Sequence, residues 1–583
     1  VRAKILNASA GSGKTYQLAY KYVHDVIRRP DSYSNILAVT FTNKATEEMK
    51  NRILREIHLL ASGKPSNYLR ALMQETRLDE ITIRQRAETV RTRILHNYSR
   101  FTVLTIDRFF QRILRAFIKE LGIEQNYNIE LDTEPLLDKS VNVLFEKIAT
   151  DKELKRWLTD YASECIADGS KWTRMRAKIY DMGKQLFNEE AREAMATAMD
   201  KGELKSFIDE LNDTYRRQKS EWQQMGTAAL EHATQCGATP DDFSRGDELF
   251  NYLRKVADGD EKRPGSRTLA RSEDSSLWCR KRHTDTEAQK AAELQPRLNE
   301  ICTFYAQHIN FWHTVTLLRT QFRSFAVLSD LYASILELCN TNNTLVLSET
   351  KQILSKLIDR NDAPFIYEKV GSRYDRFMID EFQDTSVKEW SNFLPLLHNA
   401  IAQSDDTSVL LVGDIKQSIY RWRGGDWRIL HSGAQHDLGA ESVEVETLEN
   451  NYRSFPGIVD FNNKFIDCIV RTDSNIICNK LREGVQQRVL AAHTAQTLES
   501  LLTDAYASHN QNPCKQSTQE GYIRIETYPN EEQPPIIDHI KALLDAGYRP
   551  KDIVVLVRYN ADGSRIAKQL LEFKQLNKEP RYR

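Results

Sequence analysis

Eight residues near the start constrain this chain most: Ala8-Ser-Ala-Gly-Ser-Gly-Lys-Thr15. They follow a short run, Lys4-Ile-Leu-Asn-Ala8, that reads as a buried strand. After them Ala19, Tyr22, Val23, Val26 and Ile27 recur at helical spacing. A strand, a glycine turn and a helix N-terminus turn backbone N–H groups toward one point and favour an anion there. The stretch Ala8, Ser9, Ala10, Gly11, Ser12, Gly13, Lys14 and Thr15 is therefore the candidate triphosphate site. Lys14 would neutralise the β- and γ-phosphates, and the Thr15 hydroxyl would ligate Mg²⁺. The strict pattern has Gly where Ala8 stands.

Such a loop also needs a carboxylate for the metal and a group to activate water. Phe377-Met-Ile-Asp-Glu381 reads as an apolar strand ending in two acids. Asp380 suits the metal, and Glu381 suits a general base. Thr15 and Asp380 are 365 residues apart, far more than neighbouring strands of one sheet require. A large separate module must be inserted between them.

Further strands end in residues with another chemistry. Ser408-Val-Leu-Leu-Val412 leads to Gln417, placed to reach a γ-phosphate, and then to Tyr420-Arg-Trp422-Arg423. Aromatics interleaved with arginines suit unpaired bases, each stacked base contributing roughly 1–3 kcal/mol; the bland alternative is a pair of core rings. Ile36-Leu-Ala-Val39 runs into Thr40-Phe41-Thr42-Asn43, whose hydroxyls, amide and ring suit a phosphate backbone and one base. Phe101–Thr105 ends in Ile-Asp107-Arg-Phe-Phe.

Bulk properties bound these readings. With 583 residues, several domains are expected. The 81 basic and 82 acidic residues leave a net charge of −1, so any nucleic-acid site must be a local groove. The eight cysteines include no Cys-x-x-Cys pair, which argues against zinc ribbons and disulfide scaffolds and for a reducing cytoplasm. No run reaches the ~20 apolar residues of a membrane helix, and no signal peptide is expected ahead of the first strand.

ASAGSGKT, AVTFTNKATEEMKNRI, TIDRFF, MIDEFQDTS, LLVGDIKQSIYRWRGG and LENNYRS stand here in the order seen in superfamily 1A DNA helicases. The chain resembles the UvrD/Rep group, and most of all its RecB/AddA branch. The resemblance implies an ATP-dependent DNA helicase or translocase of repair and recombination, moving 3′ to 5′ on single-stranded DNA, or on a duplex with a single-stranded end, with ATP and Mg²⁺ as cofactors. It also implies a partner, a second helicase–nuclease subunit. Lys14 and Thr15 match the Walker A residues, and Asp380 and Glu381 the metal ligand and catalytic base. Gln417 matches the γ-phosphate sensor, Arg453 an arginine reaching the γ-phosphate, and Tyr452 a ring on the nucleotide base. Phe41, Tyr420 and Trp422 match contacts to single-stranded DNA. The family usually has His where Asp107 stands, and no adenine-reading glutamine motif precedes the loop. The later family motifs, including an arginine finger, are not in this sequence, so a fragment with little or no hydrolysis is expected. The alternative is a P-loop protein that binds DNA without hydrolysing nucleotide, within a helicase–nuclease complex; the intact Lys14, Asp380, Glu381, Gln417 and Arg453 argue against it.

The expected fold class is α/β: a RecA-like P-loop motor domain (1–124 and 366–440) interrupted by a large all-helical insertion (125–365), followed by the start of a second RecA-like domain (441–583). Leu136, Leu137, Val141, Leu144, Phe145 and Ile148 carry the helical period of the insertion. Residues 46–98 read as helix, with Met49, Ile53, Ile57 and Leu60 on one face. Residues 261–283, with seven Lys/Arg against three acids, read as a solvated loop; the functional alternative is a DNA-contacting loop offering Trp278 for stacking. In the last part, 521–528 and 552–557 read as strands, 534–546 as helix and 508–520 as loop.

Overall fold

The computed structural model describes residues 2–117, 128–130, 133–167, 173–187, 201–280, 282–342, 344–346, 353–355, 365–366, 374–404, 406–487, 489–514, 520–529, 534–577 and 579. They fall into two compact units, residues 1–518 and 519–583.

The first unit is built on six parallel strands: β1 (Ala3–Ala8), β2 (Ile36–Thr40), β3 (Val103–Thr105), β6 (Arg376–Ile379), β7 (Val409–Gly413) and β8 (Val443–Leu448). Their order is β3-β2-β6-β7-β1-β8. Alternate residues of these strands enter different cores, as a period of two dictates. Ile5, Leu37, Val39, Phe377, Ile379, Val409 and Leu411 pack on one face with the helices Ile106–Ala116 and Val387–Gln403. Leu6, Ala8, Ile36, Ala38, Met378, Leu410 and Val412 pack on the other with α1 (Lys14–Arg28) and α2 (Asn43–Ala61). Both faces are covered, the usual condition for a parallel sheet. Because every strand runs the same way, all C-terminal ends meet at one edge, where open α/β sheets bind ligands.

Five strands lie where the apolar runs place them; the sixth does not. The sequence pattern puts Val443–Leu448 in a second motor domain, yet this strand pairs in parallel with β1. Its Glu444 and Glu446 mask the apolar alternation, and both lie within ion-pair reach of Lys4 on β1, Glu446 at 2.5 Å. Residues 46–98 are mostly helical, as expected, in three helices that break at Gly63, whose φ is +70°, and again between Leu69–Thr76 and Glu80–His96.

The described chain between β3 and β6 is mostly helix, but not wholly: β4 (Asn128–Glu130) and β5 (Thr344–Val346) form a parallel pair. Its backbone is a 57-residue helix, Asp285–Thr341, begun by a Thr284/Glu287 capping box. At about 1.5 Å per residue it is roughly 85 Å long. One end carries a core with Trp222, Trp278, Leu294 and Trp312, the other a core with Leu137, Val141, Leu144 and Leu331. The basic segment is a solvated loop only in part, with exposed Lys262, Arg263, Arg280 and Arg282 outside any helix, and it is not a stacking platform. Ser266–Glu273 is helical. Trp278 is 1% exposed, donates its indole N–H to the Arg271 carbonyl at 2.8 Å and packs edge-on against Phe243. Residue 281 of that segment lies outside the described residues.

The second unit contains the expected helix, Ile536–Asp545, and a second one, Asn560–Leu576. Among the described residues 521–528 and 553–557 form neither helix nor paired strand, Asp552 ends a short 3-10 turn, Gly521 takes φ +90°, and Val554 and Leu556 are 78% and 91% exposed. Their alternation suits strands, but a strand needs a neighbour for its backbone N–H and C=O groups, and the described residues of this unit supply none.

Candidate functional site

The loop after β1 turns on two glycines in the left-handed region, Gly11 at φ +80° and Gly13 at φ +90°. Ser12 N–H closes the turn on the Ser9 carbonyl at 3.1 Å. Lys14 and Thr15 open α1, so unpaired N–H groups of its first turn face the loop. The Ser12 hydroxyl is buried and has no hydrogen-bond partner among the described residues.

Across the sheet edge, β6 delivers Asp380 and Glu381. The Asp380 N–H is held by the Val39 carbonyl at 2.9 Å, which fixes the strand end beside β2. Glu381 takes φ +51°, a left-handed turn that a β-carbon resists. The Lys14 ammonium donates to Glu381 Oε2 at 2.9 Å, joining residues 367 apart in sequence. Asp380 is almost wholly buried, and its carboxyl is pushed up to about 7, by burial first and then by the Glu381 charge, against the pull of Lys14. Asp384 rises to about 6, also mainly through burial. A buried acid beside a second acid, next to an orphaned hydroxyl and a glycine turn, is a donor set that suits a divalent cation and phosphate oxygens.

Gln383 lies within the MIDEFQDTS stretch but has no role assigned from sequence, yet it organises the acids. Its Nε2 donates to Glu381 Oε2 at 2.8 Å and to Asp384 Oδ2 at 3.3 Å, while its Oε1 accepts from the Asp414 N–H at 2.9 Å. Gln417 lies beside the same cluster and donates to Asp414 Oδ2 at 2.6 Å. The remaining wall comes from the segment after β8. Asn451 donates to the Ala10 carbonyl at 3.1 Å, and its Oδ1 accepts from the N–H groups of Arg453 and Ser454. Gln511, from the stretch that reads as a loop, donates to the same Ala10 carbonyl at 3.0 Å. The Tyr452 N–H donates to the Gly11 carbonyl at 3.0 Å. Tyr452 and Arg453 are thus brought to the glycine loop after β1 with both side chains exposed. Asn451 lies within the LENNYRS stretch without a role assigned from sequence, and Gln511 has no sequence signal beyond polarity.

The second group gathers at the same sheet edge. Phe41, after β2, and Tyr420, after β7, have ring centroids 4.7 Å apart; Trp422 lies 6.1 Å from Tyr420 and is 76% exposed. The Arg423 guanidinium stands 5.1 Å from the Phe41 ring centroid and 3.7 Å from Asp107, an ion pair that occupies the acid. Thr42 caps α2 through the Ala45 N–H, and Asn43, beside it, is exposed. Thr40 does not join this surface. It is fully buried, with its hydroxyl 3.0 Å from the Thr42 carbonyl and 2.6 Å from the Thr46 hydroxyl, so it shapes the turn from within.

Residues 2–437 match the UvrD/REP helicase N-terminal domain. The chain belongs to the UvrD/REP helicase family. Among curated proteins this UvrD/REP member is 24% identical to an ATP-dependent helicase/nuclease subunit of Lactococcus lactis subsp. cremoris strain SK11, over 98% of this chain and 47% of that protein. It is 24% identical to RecBCD enzyme subunit RecB of Escherichia coli K12, over 79% of this chain and 37% of RecB. It is 22% identical to an ATP-dependent helicase/nuclease subunit of Streptococcus thermophilus strain LMD-9, over 95% of this chain and 44% of that protein. The chain therefore spans about half the length, or less, of the curated relatives it matches. Among the described residues no helix is long and apolar enough to cross a membrane.

Proposed function

We propose that this chain is the motor of an ATP-dependent DNA helicase or translocase that moves on single-stranded DNA in repair and recombination. The observation that carries the reading is the Lys14–Glu381 contact, with the Phe41–Tyr420–Trp422 rings on the same edge of one sheet. In this reading the six-stranded sheet is a RecA-like motor domain, the helical region between β3 and β6 is its insertion, and the chain after β8 begins the second motor domain.

Lys14 leaves Glu381 to hold the β- and γ-phosphates of ATP, and the freed carboxylate takes a proton from the attacking water. Thr15 and Asp380 would hold Mg²⁺, which supplies charge neutralisation at the phosphates. Gln383 keeps Glu381 oriented, Gln417 senses the γ-phosphate, Arg453 contacts it from the far wall and Tyr452 stacks on the base. Gln417 and Tyr420 sit on one short segment after β7, so a change at the phosphate reaches the ring platform along it. That platform, with Phe41, Thr42, Asn43, Tyr420, Trp422 and Arg423, grips and releases bases of single-stranded DNA. Movement 3′ to 5′, a cytoplasmic location and a partner in the form of a second helicase–nuclease subunit complete the proposal; the relatives' names as subunits of helicase–nuclease enzymes support the partner alone.

The test is ATP hydrolysis with and without single-stranded DNA, beside Lys14→Ala, on these 583 residues and on a protein that carries them together with the later family motifs. Little or no turnover is expected of the 583 residues alone, and DNA-stimulated turnover abolished by the substitution is expected where the later motifs are present. DNA-independent turnover untouched by Lys14→Ala would overturn the proposal.

A further inference from the structure

We infer that the edge of the sheet beside β3 carries a second DNA contact, a pocket for backbone phosphates beyond the ring platform. It rests on the DNA reading above. A cavity of about 560 Å³ lies there against Val103 and Leu104, walled by Lys50, Arg108, Arg112 and Arg115. No carboxylate lines it among the described residues. In a chain of net charge −1, four cations around one cavity without an acid are a local bias, not a reflection of bulk composition. Burial and the nearby Arg108 hold the Lys50 ammonium below its ordinary value, so the like charges already crowd one another. A bound anion relieves both costs. Arg112 gives one N–H to the Tyr374 hydroxyl at 3.2 Å, which uses only part of its five-donor fork.

The position says which anion. Arg108, Arg112 and Arg115 lie on the helix Ile106–Ala116 at i, i+4 and i+7, so they form one row. The row starts one residue beyond Asp107, whose carboxylate is paired with Arg423 of the ring platform. A row of guanidinium groups leading away from a base-stacking surface matches a ligand that repeats its charge along its length, the sugar–phosphate backbone, rather than a single phosphate. Tyr98, half-exposed at the rim, adds a ring beside the row.

The experiment measures DNA affinity by fluorescence anisotropy across a salt series. Its probes are a labelled single-stranded oligonucleotide and a duplex bearing a single-stranded tail. The proteins are the unaltered chain, the double variant Arg108→Ala/Arg115→Ala, Lys50→Ala as a second and milder variant, and Trp422→Ala. Losing phosphate contacts lowers the slope of log affinity against log salt by about 1 per cation, hence about 2 for the double variant and about 1 for Lys50→Ala. Trp422→Ala weakens binding with its slope retained. A fall in slope on the single strand places the unpaired backbone in the pocket; a fall confined to the tailed duplex places the duplex arm there. Unchanged slopes for both pocket variants, with Trp422→Ala still weakening binding, overturn the pocket and leave the DNA reading standing. Absence of DNA binding by the unaltered chain overturns both.

Discussion

Gly11→Ala, compared with Gly13→Ala, isolates how the segment after β8 meets the glycine loop, which is the proposed phosphate site. Both glycines have positive φ, so each substitution carries the left-handed backbone cost of about 1–2 kcal/mol. Only Gly11 adds a collision. A β-carbon there would lie 2.9 Å from Arg453 Cβ and 2.9 Å from Asn451 Oδ1, whereas one at Gly13 would have nothing closer than Tyr16 Cβ at 3.8 Å. Asn451 cannot turn aside cheaply, because its Nδ2 holds Ala10 and Gln511 and its Oδ1 holds the backbone of Arg453 and Ser454. Giving up one or two of these bonds costs about 1 kcal/mol each. Gly11→Ala should therefore weaken nucleotide binding by about 1–2 kcal/mol more than Gly13→Ala, roughly a further 5–30-fold. Titration with a fluorescent ATP analogue reads the difference, and urea denaturation of both variants separates a local from a global loss. Equal effects of the two substitutions would refute the contact between Asn451–Arg453 and the loop as the cause.

Other expectations follow from single features of the structure. Gln383→Ala should lower DNA-stimulated hydrolysis about 10–100-fold while leaving nucleotide affinity near its original value, since the glutamine orients the acids rather than the phosphates; steady-state kinetics with direct binding checks this. Trp278→Ala should cost about 3–5 kcal/mol of stability, as other buried large-to-small changes do, without changing the affinity of the folded protein for DNA; urea denaturation and anisotropy read the two effects. Asp25 sets part of the acid limb of stability. Burial raises its carboxyl, but the His24 hydrogen bond and the charges of Lys21 and Arg376 outweigh it and hold the group below the ordinary value. A depressed folded value gives stability that is present above the unfolded value of about 3.9 and is lost as pH falls through the folded one. Asp25→Asn should thus be less stable at neutral pH and flatter below about pH 4 in denaturation profiles.

Periodicity decided much of the fold before any contact was known. Runs such as Ile36–Val39 and Phe377–Ile379 have residues buried on both faces, and such strands stay apolar throughout and are legible. Val443–Leu448 lies at the sheet edge, where glutamates meet Lys4 and the strand looks like solvent-facing chain. Trp278 shows the opposite failure: seven neighbouring cations suggest an exposed loop, but burial of its ring depends on Phe243 and on the long helix, partners that no local window contains.

The sequence by itself determined the chemistry that each strand end can offer: a glycine turn with Lys14 and Thr15 at 8–15, two acids at 380–381, and aromatics among arginines at 420–423. Those depend on residue type and local backbone. Only the tertiary structure decided which of them meet. It set Glu381 against Lys14, sent the Thr40 hydroxyl inward, neutralised Asp107 with Arg423 and recruited Gln383, Asn451 and Gln511 to the loop. The physical reason is that a parallel sheet gathers strand ends in an order unrelated to the chain, so contacts across hundreds of residues follow from strand pairing rather than from local pattern.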